Sequence, residues 1–178
     1  MANRVPRPGG SEESPSRRAR RDNWSHDWYP YQNYLDVHYS HMNKLLAEQL
    51  VLRDRTSFDE VRGRGLEQVT LSGRLECARD LLISVRKLLE VRRGVHNRYE
   101  VRTVRYSYHG WIRGTEHNVT RYDNAHDYLP LHRHCFDLAS GHETRVDLLD
   151  IEHWPTLDDV IREAVELANK IAELRGGR

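Results

Sequence analysis

Leu66 to Ile112 reads LEQVTLSGRLECARDLLISVRKLLEVRRGVHNRYEVRTVRYSYHGWI, and its alternation decides the fold. From Glu67 to Cys77, the residues Val69, Leu71, Gly73, Leu75 and Cys77 fall on one face at period two. Gln68, Thr70, Ser72, Arg74 and Glu76 fall on the other, which is the pattern of a half-buried strand. Leu82 to Arg92 continues with Ile83, Val85, Leu89 and Val91 in one phase and Arg86 and Glu90 opposite; Leu88 breaks the polar phase and leaves a helix open there. The two-residue Arg79-Asp80 link favours a hairpin. Tyr99 to Ile112 is rich in Val, Tyr and Thr and has strong β propensity. Val104, Tyr106 and Tyr108 share one phase, while Val101, Thr103, Ser107 and His109 share the other. Either both faces are covered or a bulge shifts the phase midway.

Downstream, Gly114-Thr115 makes a turn and Asn118 to Tyr122 a short strand, with further strand pieces at Cys135 to Leu138 and Thr144 to Leu149. Pro155-Thr156-Leu157-Asp158-Asp159 opens a helix with Thr156 as N-cap. Leu157, Val160, Ile161, Ala164, Leu167, Ala168, Ile171 and Leu174 make its apolar stripe. Upstream, Tyr31, Tyr34, Leu35, His38, Met42, Leu45, Leu46, Gln49 and Leu50 recur at helical spacing after Pro30, enough for about five or six turns. Residues 1–22 hold six arginines against three acids, together with Pro, Gly and Ser, and read as a disordered basic tail. Residues 23–64 read as an aromatic helical extension and 65–178 as the main domain. The predicted fold class is α+β: a single antiparallel, strongly curved sheet, with the N-terminal aromatic helix and the C-terminal amphipathic helix on one of its faces.

In 178 residues, 28 Lys and Arg against 27 Asp and Glu leave no global field for nucleic acid, so any such site is a local patch. Two cysteines exclude a disulfide framework and a four-cysteine zinc site. No apolar run reaches the ~20 residues of a membrane span. The sequence therefore predicts a cytoplasmic protein without membrane association.

Chemistry concentrates in Tyr106 to Phe136, which holds five of the eleven histidines. His132-Arg133-His134 on an extended segment would aim both imidazoles to one side, about 6 to 7 Å apart. Histidine titrates near neutrality, so His132 and His134 could act as an acid–base pair on an RNA phosphodiester. Arg121 and Arg133 would steady the phosphate and Asp123 would orient a histidine. Tyr122 joins the catalytic candidates, and Asn124, His109, Tyr108 and His126 join Arg133 as substrate-binding candidates. This chemistry needs no cofactor. As an alternative, His126, His132 and His134, with Asp123, could ligate a divalent metal such as zinc in a metal-dependent hydrolase. A third reading leaves the histidines as loop residues and Asp123-Asn124 as a turn. In a non-catalytic alternative, the aromatic N-terminal helix binds a partner protein or nucleic acid.

RYDN at Arg121 to Asn124, preceded by YSYH at Tyr106 to His109 and followed by HRH at His132 to His134, resembles the TumE-type toxins of bacterial and archaeal toxin-antitoxin modules. The similarity runs from Leu66 to Leu174 and includes the Trp154-Pro155-Thr156-Leu157 helix start. Arg121, Tyr122, Asp123, Asn124, His132 and His134 are the matching positions. The resemblance implies a small cytoplasmic toxin neutralised by a cognate protein antitoxin with a DNA-binding domain. Met1 to about Arg64 departs from the family pattern, and this extension is read as an element for homodimer formation or antitoxin binding.

Overall fold

The computed structural model describes residues 28–124, 131–149 and 154–176. The basic tail expected over residues 1–22 and His126 lie outside them. Eight strands form one open antiparallel sheet: β1 (Tyr29–Pro30), β2 (Val51–Arg62), β3 (Leu66–Cys77), β4 (Leu81–Arg93), β5 (Tyr99–Ile112), β6 (Asn118–Asp123), β7 (His132–Phe136) and β8 (Glu143–Leu148). The order is β2-β3-β4-β5-β6-β7-β8, a meander, with β1 added beside the first half of β5. Helix α1 (Tyr31–Ala47) and helix α2 (Leu157–Gly176) pack on the same face, here called the inner face.

Short connections enforce the meander. Leu81 N–H donates to Ala78 O, and Arg79 and Asp80 both have positive φ, so the two-residue hairpin link takes the primed turn that matches strand twist. The phase conflict in β5 is resolved by a bulge. Arg105 pairs with Leu88 and Thr103 with Leu89, which leaves Val104 unpaired and moves the inward phase from Val101 and Thr103 to Tyr106, Tyr108 and Ile112.

The main core lies between α2 and the inner face. Val160, Ile161, Ala164, Val165, Ala168 and Ile171 of α2 pack with Leu75, Ile83, Val85, Tyr106, Tyr108 and Tyr122. Each large apolar side chain there contributes about 1.5–3 kcal/mol. Val165 takes the buried place expected of Leu167, and Leu174 is exposed, because the stripe rotates toward the sheet. A reciprocal cap starts α2: Asp159 N–H donates to Thr156 Oγ1 at 2.8 Å and Thr156 N–H to Asp159 Oδ2 at 3.3 Å. A second cluster gathers Tyr34 of α1 with Leu66, Val69, Leu89 and Val101. Beside it lies Lys87, only 7 % exposed, with Nζ 3.3 Å from the Tyr34 hydroxyl and over the Tyr34 and Tyr108 rings. Burial opposes its charge, and the two phenol oxygens favour it strongly enough to hold the ammonium above its usual range.

Helix α1 ends earlier than residues 23–64 as a helical extension would require. Gln49 takes a positive φ of 58° and Leu50 N–H donates to Leu45 O at 3.0 Å, a C-terminal cap that turns the chain into β2. Strand β2 belongs to the sheet and pairs with β3 along its length. Its inner phase holds Val51 and, after a register shift, Asp54, Thr56, Phe58 and Glu60, so only Val51 and Phe58 mark it as apolar and no period-two signal shows in the sequence.

Candidate active site

Register sorts the candidate residues between the two sheet faces. His109 pairs with Arg121 and Arg121 with His134, while Ser107 pairs with Asp123 and Asp123 with His132. Paired residues share a face, so these six side chains stand in two rows on the outer face, away from both helices. Strand β7 starts at His132, three residues before the apolar run that marked it in the sequence. This start makes His-x-His extended, and the two rings lie 5.0 Å apart at 60°.

Asp123 is the hub. Its Oδ2 accepts from Arg121 Nε at 2.7 Å, and its Oδ1 stands 2.9 Å from His132 Nε2. His134 Nε2 is 3.7 Å from Oδ2, and His134 Nδ1 lies 2.5 Å from Glu143 Oε2. Asp123 and His132 are 0 % exposed, whereas His134 and Arg121 are only partly covered. Burial therefore divides the histidine pair into a fully enclosed ring and one that reaches the surface at its edge, with its Nε2 turned inward toward Asp123. His109 Nε2 lies 2.8 Å from Asn118 Oδ1. Since that oxygen can only accept, Nε2 carries the proton and Nδ1 is left to accept. Burial, and after it the nearby Arg121 and His134, lower the His109 pKa.

Three ligand-type atoms, one each from Asp123, His132 and His134, lie within 4.8 Å of one another. Asp123 Oδ1 and His134 Nε2 are buried, and their approaches of 2.9 Å to His132 and 3.7 Å to Asp123 are ion-pair contacts and not well-directed hydrogen bonds. That donor set suits a divalent ion of the zinc type.

The remaining candidates lie elsewhere. Tyr122, Arg133 and Tyr108 point to the inner face, which corrects the expectation of Arg133 beside Arg121: period-two alternation separates Arg133 from its histidine neighbours. Arg133 Nη2 pairs with Glu163 of α2, and the Tyr122 hydroxyl donates to the same carboxylate at 2.5 Å. The Arg133 guanidinium also stands over the Tyr122 ring. Tyr108 is buried beside Lys87. Asn124 spends its side chain on the β5 backbone, with Oδ1 accepting from Tyr106 N–H at 2.7 Å and Nδ2 donating to Val104 O at 3.1 Å. It clamps the end of β6 beside the Val104 bulge. Sequence reasoning missed Glu143 and Glu163, since only register and the docking of α2 bring them to their partners.

A single-sheet α+β domain with a histidine–carboxylate centre on the face opposite its two helices is the class that fold and site define. The chain belongs to the TumE toxin family: the family model described as Toxin TumE matches residues 42–169, from the last turns of α1 through β2 and on into α2. No curated protein and no solved structure matches the chain. A toxin family implies a cognate antitoxin as partner. Among the described residues, no helix is long and apolar enough to cross a membrane.

Proposed function

We propose that this toxin cleaves RNA in the cytoplasm at the outer-face centre, by acid–base catalysis between two histidines that flank an arginine. The observation that carries this reading is the row His109, Arg121, His134 on three adjacent strands. At ~4.8 Å per strand, a phosphate seated on Arg121 has one imidazole on either side. Those are the sides from which the attacking oxygen enters and the leaving oxygen departs.

His109 is the base. Its lowered pKa keeps it neutral, and Nδ1 takes the proton of the ribose 2′-hydroxyl as that oxygen bonds to phosphorus. His134 is the acid: its Nε2, covered beside Asp123 in the free protein, is uncovered by a swing of the ring and delivers its proton to the 5′-oxygen as the P–O5′ bond breaks. The products are a 2′,3′-cyclic phosphate and a 5′-hydroxyl. Arg121 stabilises the charge that gathers on the non-bridging oxygens. Asp123 holds Arg121, and the enclosed His132 positions Asp123.

Recombinant protein in chelator should cut total RNA to cyclic-phosphate ends and leave single-stranded DNA intact, because DNA lacks the nucleophile. His134→Ala and Arg121→Ala should each slow cleavage by a factor on the order of 10² to 10⁴. Equal rates in the His134→Ala protein would remove the acid from the scheme. The antitoxin, with its DNA-binding domain, would act by covering this face. If the toxin instead acts without catalysis, through a partner or homodimer held by the exposed Tyr39 and Leu46 of α1, the His134→Ala, Arg121→Ala double variant stays toxic on expression.

A second reading rests on the clustered ligand atoms of Asp123, His132 and His134. A divalent ion held there would supply a metal-bound water or neutralise the phosphate. Near-stoichiometric zinc after dialysis, with cleavage abolished by chelator and restored by zinc, would replace the metal-free scheme.

A further inference from the structure

The outer face extends well beyond the catalytic row, and its composition is uneven. Arg74, Ser84, His109 and Arg121 form one row across β3, β4, β5 and β6; Ser72, Arg86, Ser107 and Asp123 form the next. Both rows lead from β3, beside the edge strand β2, into the proposed active site. Over β2, β3 and β4 lies an open depression of about 800 Å³ walled by Arg55, Arg74, Arg86 and Arg113. A second depression of about 470 Å³ shares Thr70, Ser84 and Arg86 with the first and reaches Arg105 and Ser107. Together they form one trough that ends at Arg105 and Ser107, and Ser107 is the register partner of Asp123.

Its charge is one-sided. Among the described residues Glu76 is the only acid lining either depression, and Arg55 and Arg113 both bind it at 2.8 Å. Arg86 is exposed and makes no ion pair among the described residues. Arg74 is exposed as well, with its guanidinium 5.4 Å from the centre of the Trp111 ring and no carboxylate among the described residues against it. Trp111, half-buried, in turn lies 5.3 Å from the His109 ring. Two uncompensated guanidinium groups, hydroxyls between them and an aromatic ring at the border of the site are the parts of a single-strand track. Arginine grips backbone phosphate, and the ring offers a stacking surface to an unpaired base. The narrowly local charge also explains how a chain of formal charge +1 can hold a polyanion.

We infer that the outer face from β3 to β6 is a binding track for single-stranded RNA, with Arg86 and Arg74 holding phosphates away from the cut site and Trp111 stacking a base next to it. This rests on the proposal that RNA is the substrate. Arg74 stands three strands from Arg121, ~14 Å, so the track engages the nucleotides next to the scissile phosphate and not that phosphate itself.

The test uses the full chain and a fluorescent 2′-O-methyl single-stranded RNA of ~12 nucleotides, which cannot be cleaved, so that binding is read apart from catalysis. Anisotropy titrations across a salt series should give a Kd for wild type that rises steeply with salt. The Arg74→Ala, Arg86→Ala double variant should bind about 10-fold more weakly, with the salt slope reduced by about 1.4 for two lost phosphate contacts. Arg86→Lys should retain most of that slope, and Lys170→Ala, on the exposed side of α2, should behave as wild type. On cleavable RNA the double variant should raise KM and leave kcat near wild type. An unchanged Kd and slope in the double variant overturns the track, even if wild type cleaves RNA. Tight, salt-dependent binding without cleavage keeps the track and removes the proposed activity. If wild type does not bind the oligonucleotide and the double variant loses the antitoxin instead, the trough is a protein interface and the inference is wrong.

Discussion

Glu143 holds His134 from the side opposite Asp123, with its Oε2 2.5 Å from His134 Nδ1. A carboxylate only accepts, so Nδ1 carries a proton and the proton exchanged with substrate is confined to Nε2. Glu143→Gln keeps the side-chain length but lets an amide N–H face the ring and admits the other tautomer. We expect kcat to fall by about 10- to 100-fold, less than on loss of the histidine itself, with KM unchanged. Single-turnover cleavage assays read both quantities, and a kcat equal to wild type would make Glu143 a bystander.

Glu163 serves the inner face in a different way, since one carboxylate takes both Arg133 and the Tyr122 hydroxyl. Glu163→Ala strands two partners, whereas Arg133→Ala leaves Glu163 with Tyr122. Glu163→Ala should therefore cost about 1–3 kcal/mol and Arg133→Ala less, both seen as a shift in urea midpoint. Saturated cleavage by the folded Arg133→Ala protein should match wild type. A loss comparable to that of Arg121→Ala would return Arg133 to the phosphate.

The difference between Arg121 and Arg133 shows how much of the site was legible. Alternation in Glu67 to Cys77 and the Arg79-Asp80 link were enough to read a hairpin, and Thr156 with its acidic first turn was enough to read α2. The two phases of Tyr99 to Ile112 leave either two covered faces or a bulge, and the structure has a bulge at Val104. Site geometry needed more. Whether His109 stands beside Arg121 depends on cross-strand register, and the enclosure of His132 depends on packing around it; neither leaves a periodic trace in one sequence. Strand β2 falls inside the span read as a helical extension because only Val51 and Phe58 of its inner phase are apolar, too few to show a period of two.

Gly73 of β3 pairs with Thr56 of β2 and leaves no room for a side chain. Its φ is 143°, and a Cβ there would meet Arg55 O at 2.2 Å and Thr56 Cα at 2.6 Å. Those are backbone atoms of a paired strand and cannot swing aside. Gly73→Ala should thus destabilise the fold by more than about 1 kcal/mol, because both the backbone conformation and the space are wrong for a side chain. Thermal unfolding measures it, and a Tm within a degree of wild type would mean that β2 separates from β3 at little cost.

His38 on α1 makes the fold sensitive to acid. It is buried with its ring 5.1 Å from that of Phe58, and burial, followed by the charges of Lys87 and His41, lowers its pKa to about 3 from an ordinary 6.5. In the folded chain the ring stays neutral down to about pH 3, while the unfolded chain binds a proton below about 6.5. The unfolded state thus holds the extra proton throughout that window, so stability is full above it and falls as the pH drops through it. One proton corresponds to a slope of about 1.4 kcal/mol per pH unit, an upper bound for this residue. His38→Met keeps a helix-compatible apolar side chain without a titrating group. Urea unfolding of the two proteins between pH 7 and pH 4 should show a shallower loss of stability in the variant, and parallel curves would mean that the folded protein admits a charged His38.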